Sequence, residues 1–143
     1  MENKKYKPKI DKLFFIIFIP TAILMLGCTI LAYFEPMALF IIVPVDIFTF
    51  YFLISPLFGY VELMEDRLFI KFGFIVKREI PYSKIRGTAK ERSFIAETML
   101  SLKNSFEHVK IRYNTYDVTI VSVTDNDDLI NELYLRCKQN KLS

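Results

Sequence analysis

Two long apolar stretches, separated only by an acidic residue and a proline, constrain this chain more than any other feature. The first covers residues 13–34 and the second residues 37–60, with Glu35 and Pro36 between them. As a helix, each is long enough to cross the roughly 30 Å hydrocarbon core of a bilayer. Because so short a link forces the two segments to run antiparallel, the sequence predicts a transmembrane helical hairpin over residues 13–60.

The basic residues around these stretches predict the orientation of the hairpin. Residues 1–12 carry five lysines, and a second basic flank begins at Arg67, whereas the connecting turn has neither Lys nor Arg. Cytoplasmic flanks of membrane helices are enriched in Lys and Arg. We therefore expect two spans in the cytoplasmic membrane, with the N- and C-termini in the cytoplasm and Glu35 outside.

Two other interpretations of the apolar region stay open. A cleaved signal peptide or lipoprotein leader fits the basic start and the Leu26-Gly27-Cys28 sequence. However, the apolar run continues past Cys28, where a mature lipoprotein becomes polar, and it is longer than a usual leader. A buried hairpin in a soluble protein needs a core larger than the remaining residues are able to surround.

Asp46 is the one charged residue within the two stretches. A carboxylate near mid-depth costs on the order of 3 kcal/mol on insertion scales, so such residues usually face a polar partner. An antiparallel hairpin places Asp46 level with Met25, within about a turn of Thr21 and Cys28. Asp46 is either a protonated or hydroxyl-bonded residue that pins the helices together or a contact for a ligand that inserts into the membrane.

Beyond residue 60 the hydrophobic pattern changes to the alternation that is typical of β-strands. Residues 61–72 predict a strand, a turn and a second strand, and residues 74–80 predict a third strand after a break at Gly73. Residues 108–113 and 118–123 predict a hairpin. In its first strand the alternation predicts inward side chains for Val109, Ile111 and Tyr113 and outward ones for His108, Lys110 and Arg112.

The chain ends in a predicted amphipathic helix that closes one end of the sheet. Thr124 is the expected N-cap, with Asp127 three residues later as in a capping box. Arg136 lies in the last turns, where cations are favoured. The apolar face consists of Leu129, Ile130, Leu133 and Cys137.

These segments follow one another in an order that resembles a known family, the small bacterial PH-like membrane proteins typified by YyaB, which include the sublancin immunity protein. The matching positions are Tyr60, Gly73, Ile80, Pro81, Ser83, Ile85 and the helix over 125–133. The resemblance implies an α+β fold in the bacterial cytoplasmic membrane. Its parts are a basic cytoplasmic N-terminus over 1–12, the hairpin over 13–60, and over 61–143 a small PH-like antiparallel barrel or sheet capped by a C-terminal helix.

The resemblance also implies a non-catalytic binding role. Bacteriocin self-immunity is the leading case, in which the anchored domain or the hairpin binds the peptide or shields its membrane target. The alternative is a structural or regulatory membrane subunit that docks a protein partner or anionic lipid headgroups.

Charge is uneven along the predicted domain. Residues 67–92 are mostly basic, whereas residues 117–132 contain only acids among their charged side chains. A domain tethered to the bilayer is able to turn the basic segment toward anionic headgroups, although ordinary solvated strand faces give the same pattern. The candidate lipid- or peptide-binding residues are Arg78, Lys84, Arg86, Lys90, Arg92 and Phe94.

Two further features are candidates for contact with a partner. The apolar stretch over 92–100 either completes the core or meets a peptide. The free edge of an open sheet offers strand addition.

Nothing in the sequence indicates catalysis, a metal ion or a cofactor. The chain has one His, two Cys and four Gly, and it lacks a nucleophile motif and a phosphate-binding loop. A net charge of +3 is too small for a nucleic-acid-binding domain. The expected partners are therefore the lipid bilayer and either a bacteriocin peptide or a membrane protein.

Overall fold

The computed structural model describes residues 2–93, the backbone of residues 101 and 102, and residues 105–142. Helix α1 spans Lys12–Ala32 and helix α2 spans Pro36–Ile54, and the two pack as an antiparallel hairpin. A 3₁₀ turn over Ser55–Phe58 follows α2. Two sheets and a C-terminal helix α3 (Asn126–Leu142) make up the rest. The predicted α+β fold class is confirmed.

The first sheet has four antiparallel strands in the order β1-β2-β3-β4. The strands are β1 (Lys4–Tyr6), β2 (Tyr60–Leu63), β3 (Arg67–Lys71) and β4 (Lys77–Pro81). The second sheet has the order β5-β7-β8-β6, in which β6 is a short strand parallel to β8. Its strands are β5 (Ile85–Arg92), β6 (Ser101–Leu102), β7 (Glu107–Tyr113) and β8 (Asp117–Val121).

The helical hairpin is inserted between two neighbouring strands of one sheet. Strand β1 precedes α1 and pairs with β2, which follows α2, so that Lys4 lies opposite Leu63 and Tyr6 opposite Val61. Just after β1, the Lys9 N–H donates to the Ser122 carbonyl at 3.0 Å. No strand was predicted within residues 1–12. The N-terminal segment is nevertheless part of the folded domain.

The start of α1 is fixed to the domain by Asp11. One carboxylate oxygen caps the helix by accepting the Leu13 N–H at 2.9 Å. The other accepts the Ser105 hydroxyl at 2.5 Å and the Phe106 N–H at 3.2 Å. Burial opposes ionisation of Asp11, but these hydrogen bonds outweigh it and hold the pKa of the carboxyl below its ordinary value. The hairpin is therefore joined to the domain by side-chain contacts as well as by the chain.

Both helices of the hairpin expose their apolar side chains. Each is long and apolar enough to cross a membrane, at about 1.5 Å per residue. Only Leu13 and Ala32 are buried in α1, and no residue of α2 is buried. This exposure does not fit the buried hairpin of a soluble protein, which packs its apolar faces against its own core.

The core of the domain lies between the two sheets and α3. It contains the alternating apolar residues of both sheets, including Val109, Ile111 and Tyr113, whose predicted inward orientation is confirmed. The predicted apolar face of α3 is also confirmed, since Leu129 and Leu133 are buried and Ile130 and Cys137 pack against the core. Burial raises the pKa of the Cys137 thiol, which keeps it protonated at neutral pH.

The predicted outward orientation of His108 and Lys110 is wrong, because both side chains are buried. Strand β7 lies between β5 and β8, and both of its faces are covered at these positions. Lys110 is the register partner of the buried Ile120 and lies 3.7 Å from the Glu91 carboxylate. Arg112 is exposed, as predicted.

Three local predictions also need correction. Strand β4 begins at Lys77 rather than at residue 74, because Gly73 has a φ of +125° and turns the chain away from the sheet. Asp125, not Thr124, caps α3 by accepting the Asp128 N–H at 2.9 Å. Arg136 is not a solvated cation of the last turns, because its guanidinium is buried and donates to backbone carbonyls.

Candidate functional site

The polar site inside the hairpin joins its two helices. The Asp46 carboxyl of α2 is hydrogen-bonded to the Thr29 hydroxyl of α1, which also lies 2.9 Å from the Met25 carbonyl. Thr29 is one residue beyond Cys28 and about one turn away from the predicted level of Met25. The arrangement matches the first of the two interpretations of Asp46, a hydroxyl-bonded residue that pins the helices together.

The first sheet, β1-β2-β3-β4, has a hairpin end and a far end. We call the end at which β2 leaves α2 the hairpin end, and the end at the β2–β3 turn the far end. At the hairpin end, Tyr60, Lys71 and Lys77 lie in one row across β2, β3 and β4. Lys71 and Lys77 are direct cross-strand partners, an arrangement that costs stability because like charges face each other.

Lys5 belongs to the same basic cluster. Its ammonium lies 3.7 Å from the centroid of the Tyr60 ring, and that of Lys71 lies 5.9 Å from the same centroid. Within the described part of the chain, Lys5, Lys71 and Lys77 have no carboxylate within ion-pair distance, although Glu62 is the cross-strand partner of Lys5. We call these three lysines and Tyr60 the basic row.

An apolar loop lies next to the basic row. Phe74, Ile75 and Val76 connect β3 to β4 and are 42 %, 78 % and 45 % exposed. The Phe74 ring lies 4.6 Å from that of Phe58 and 5.5 Å from that of Tyr51, both at the end of the α2 segment. The ring contacts of Phe74 therefore hold the loop against the end of α2 and the 3₁₀ turn that follows it. We call residues 72–76 the apolar loop.

Gly73 permits this close approach between the apolar loop and the hairpin. A Cβ atom at this position meets the Ser55 hydroxyl oxygen at 1.9 Å, and the positive φ disfavours any L side chain. The loop can therefore seat against Ser55 only with glycine at residue 73.

Charges at the far end are arranged differently. Lys4 contacts Asp128 at 2.6 Å, and the Tyr6 hydroxyl donates to the same carboxylate at 2.5 Å. Lys4 and Tyr6 together hold the pKa of Asp128 below its ordinary value. Arg67 pairs with both Asp66 and Glu79. The cations here are neutralised within the protein.

The sequence-predicted binding residues do not form one patch. Arg78 donates to the Tyr113 hydroxyl and so links the two sheets. Lys90 pairs with Asp127 at 2.9 Å, which joins the basic and acidic segments that the charge pattern had separated. Lys84 and Arg86 are exposed near the start of β5, while Arg92 lies at its other end, roughly 20 Å from Arg86. Phe94 and most of the stretch 92–100 lie outside the described residues.

A groove of about 490 Å³ separates β5 from the C-terminal half of α3. Its floor is apolar, with Leu133 and Cys137, and three cations line it: Arg86, Lys138 and Lys141. No acidic residue is among the described residues of the lining. Because β5 pairs only with β7 in the described sheet, its other edge is available for hydrogen bonding. We call this feature the β5–α3 groove.

Sequence reasoning missed both the basic row and the cationic lining from α3. Lys5 belongs to a strand that shows no alternation over enough residues to be recognised, and Lys71 and Lys77 meet only through the register of a hairpin. The sequence does contain one signal for the Lys71–Lys77 pairing. It is the short turn around Gly73 between two strand patterns, because the length of that turn sets the register of β3 against β4.

The bacterial PH domain family accounts for this architecture. The family model matches residues 59–137, which is more than half of the chain, and the protein belongs to this family. PH domains are generally non-catalytic modules that bind lipids or proteins. No curated protein and no solved structure matches the chain.

Proposed function

We propose that this chain is a membrane-anchored, non-catalytic PH-like binding protein of the bacterial cytoplasmic membrane. One observation carries the proposal: the apolar hairpin is inserted between β1 and β2 of the domain. A strand on each side of the hairpin belongs to the same sheet, so both ends of the hairpin must lie on one side of the bilayer. The basic flanks favour the cytoplasmic side.

The domain follows the membrane segment with almost no linker. Asp11 and Tyr60 mark the two points where the hairpin meets the folded domain, and both contact domain residues directly. A partner of this domain is therefore at or near the membrane surface. A domain with a long linker would search a larger volume.

The partner that best fits the β5–α3 groove is an extended polypeptide segment with negative charge. Its backbone would pair with the free edge of β5, and its acidic groups would face Arg86, Lys138 and Lys141.

The specific process that we propose is bacteriocin self-immunity. Its support is the resemblance to the family that includes the sublancin immunity protein, together with membrane anchoring. In this role the domain or the hairpin binds the peptide or shields its membrane target. The alternative role, a structural or regulatory subunit for another membrane protein, uses the same groove without any toxin.

Deletion of the gene in its host, followed by challenge with a panel of bacteriocins that includes sublancin, tests the process. Immunity predicts increased sensitivity to at least one peptide and full rescue by the wild-type gene. Unchanged sensitivity across the panel would remove the immunity role and leave the subunit role.

The groove is tested in the same strain by complementation. Thr88 lines the groove and pairs with the buried Ile111, so its side chain lies on the face of β5 that packs against α3. Thr88→Phe therefore places a ring in the groove, while Ala89→Phe adds the same ring to the opposite, exposed face outside the lining. We expect Thr88→Phe to lose protection and Ala89→Phe to keep it, at equal protein levels. Equal protection by both variants would exclude the groove as the binding site.

A further inference from the structure

The apolar loop and the basic row together have the features of a second membrane contact. We propose that Phe74, Ile75 and Val76 insert into the bilayer surface next to the end of α2, and that Lys5, Lys71 and Lys77 bind anionic phospholipid headgroups there. This inference rests on the proposed membrane anchoring and adds a lipid-binding site within the domain itself.

The position of the loop carries the first part of the argument. The Phe74 ring packs at a tilt against the rings of Phe58 and Tyr51, which lie at the end of the second membrane helix. Aromatic residues at this level are typical of the interface between hydrocarbon and headgroups. A loop held against that level by ring contacts lies at the membrane surface whenever α2 is within the membrane.

The exposure of the loop carries the second part. Ile75 is 78 % exposed at the tip, with Phe74 and Val76 on either side. The apolar interior of the domain is complete without them, since none of the three belongs to the core. Exposure of these apolar side chains to water is unfavourable. Insertion into a bilayer transfers each of them into an apolar environment and so lowers the free energy.

The charges carry the third part. Lys71 faces Lys77 across the β3–β4 pair, and among the described residues neither has a carboxylate within ion-pair distance. Lys5 shares the Tyr60 ring with Lys71, although its own cross-strand partner is Glu62. An anionic headgroup between these ammonium groups removes the repulsion. A row of lysines next to an apolar tip at the foot of a membrane helix matches anionic lipid better than it matches a soluble anion.

The depth of the loop tip is measured on the full-length chain in proteoliposomes of phosphatidylcholine and phosphatidylglycerol. A Cys28→Ser, Cys137→Ser background receives one cysteine at a time, Ile75→Cys, Leu24→Cys or Tyr116→Cys, labelled with an environment-sensitive fluorophore. Leu24 lies in α1 with its side chain exposed, and Tyr116 is 92 % exposed in the β7–β8 turn. Quenchers on lipid acyl chains and iodide in water then report where each probe lies.

We expect the Ile75 probe to behave like the Leu24 probe, quenched by lipid and protected from iodide, while the Tyr116 probe shows the reverse. An Ile75 probe that behaves like Tyr116, with Leu24 still in lipid, would overturn the loop insertion and leave the anchoring intact. A Leu24 probe quenched by iodide would overturn the anchoring, and the loop inference with it.

Headgroup selectivity is measured with spin-labelled phosphatidylglycerol and phosphatidylcholine on the same full-length protein. We expect phosphatidylglycerol to be enriched around the wild type, with roughly a fivefold loss of preference for each lysine removed from the basic row. The variant is Lys71→Gln/Lys77→Gln, and Lys84→Gln is the matched control at an exposed position remote from the row. Unchanged preference in the double variant would overturn the headgroup assignment.

Discussion

The two ends of the first sheet, β1-β2-β3-β4, carry similar cationic residues in different surroundings. At the far end, Lys4 and Arg67 are paired with carboxylates. At the hairpin end, Lys71 and Lys77 face each other, and an apolar tip is exposed beside them. The cations of the far end are therefore neutralised by carboxylates of the same chain. At the hairpin end, the facing lysines and the exposed apolar side chains both cost free energy in water.

This difference separates residues that stabilise the fold from residues that are available for a partner. A cation that is hydrogen-bonded within the protein has little to gain from an external anion. A cation that faces another cation gains from one. The basic row is therefore a better candidate for lipid contact than the larger number of cations in the basic segment of the sequence.

The largest expected effect is at the far end and concerns Arg136. Its guanidinium donates to the carbonyls of Leu63, Met64 and Glu2 at 3.2, 2.9 and 2.7 Å. We expect Arg136→Met to lower the free energy of unfolding by about 3 kcal/mol, because buried carbonyls lose their donors. Chemical denaturation in neutral detergent measures this value, with Lys138→Met as the exposed control. Equal loss in both variants would show that Arg136 does not link β1 to the β2–β3 turn.

The next effect is at the hairpin end and concerns Gly73. We expect Gly73→Ala to cost about 1–3 kcal/mol, because its φ is positive and the new Cβ overlaps the Ser55 hydroxyl. Gly87→Ala is the matched control, since a Cβ at that position meets no atom within 4 Å. The same denaturation experiment compares the two variants. A neutral Gly73→Ala substitution would contradict the close seating of the apolar loop on the hairpin.

A smaller effect distinguishes the charges of the two ends. Removal of the facing charges in Lys71→Gln/Lys77→Gln is expected to leave stability in neutral detergent unchanged or to raise it by up to about 1 kcal/mol. Arg67→Gln breaks two ion pairs and is expected to lower stability. Thermal denaturation followed by circular dichroism measures both. Loss of stability in the double lysine variant would indicate that the basic row is already neutralised within the protein.

The smallest effect is the pH dependence of the Lys4–Asp128 contact. The pKa of Asp128 is lowered by Lys4 and Tyr6, so its stabilisation is present above the ordinary carboxyl value and is lost as the pH falls through the folded-state pKa. We expect Asp128→Asn to be slightly less stable than the wild type at pH 7 and equal to it at strongly acidic pH. A difference that persists in acid would assign the effect to packing instead of charge.

Patterns that involve many neighbouring residues could be predicted from the sequence. The hairpin follows from apolar length, and the inward side chains Val109, Ile111 and Tyr113 follow from alternation. These signals repeat along the chain, so that one exception does not hide them. The family model confirms the PH-like character of the following domain.

Features that depend on distant contacts could not be predicted. Strand β1 has only three residues and exists because β2 offers an edge after the hairpin. His108 and Lys110 alternate as surface residues do, but their strand is internal and both faces are covered. Arg136 resembles an ordinary cation of a helix end, and only the position of the β2–β3 turn makes it a buried donor.

The most direct test of the account is the topology of the full-length protein in its host. Single cysteines at Glu35 and Tyr116, in a chain without Cys28 and Cys137, are labelled by a membrane-impermeant maleimide before and after permeabilisation. We predict that Glu35→Cys, on the outer surface of the cytoplasmic membrane, is labelled before permeabilisation. Tyr116→Cys is labelled only after permeabilisation. Labelling of Tyr116→Cys in intact cells, or release of the unlabelled protein into the aqueous fraction without detergent, would contradict an anchored domain on the cytoplasmic face.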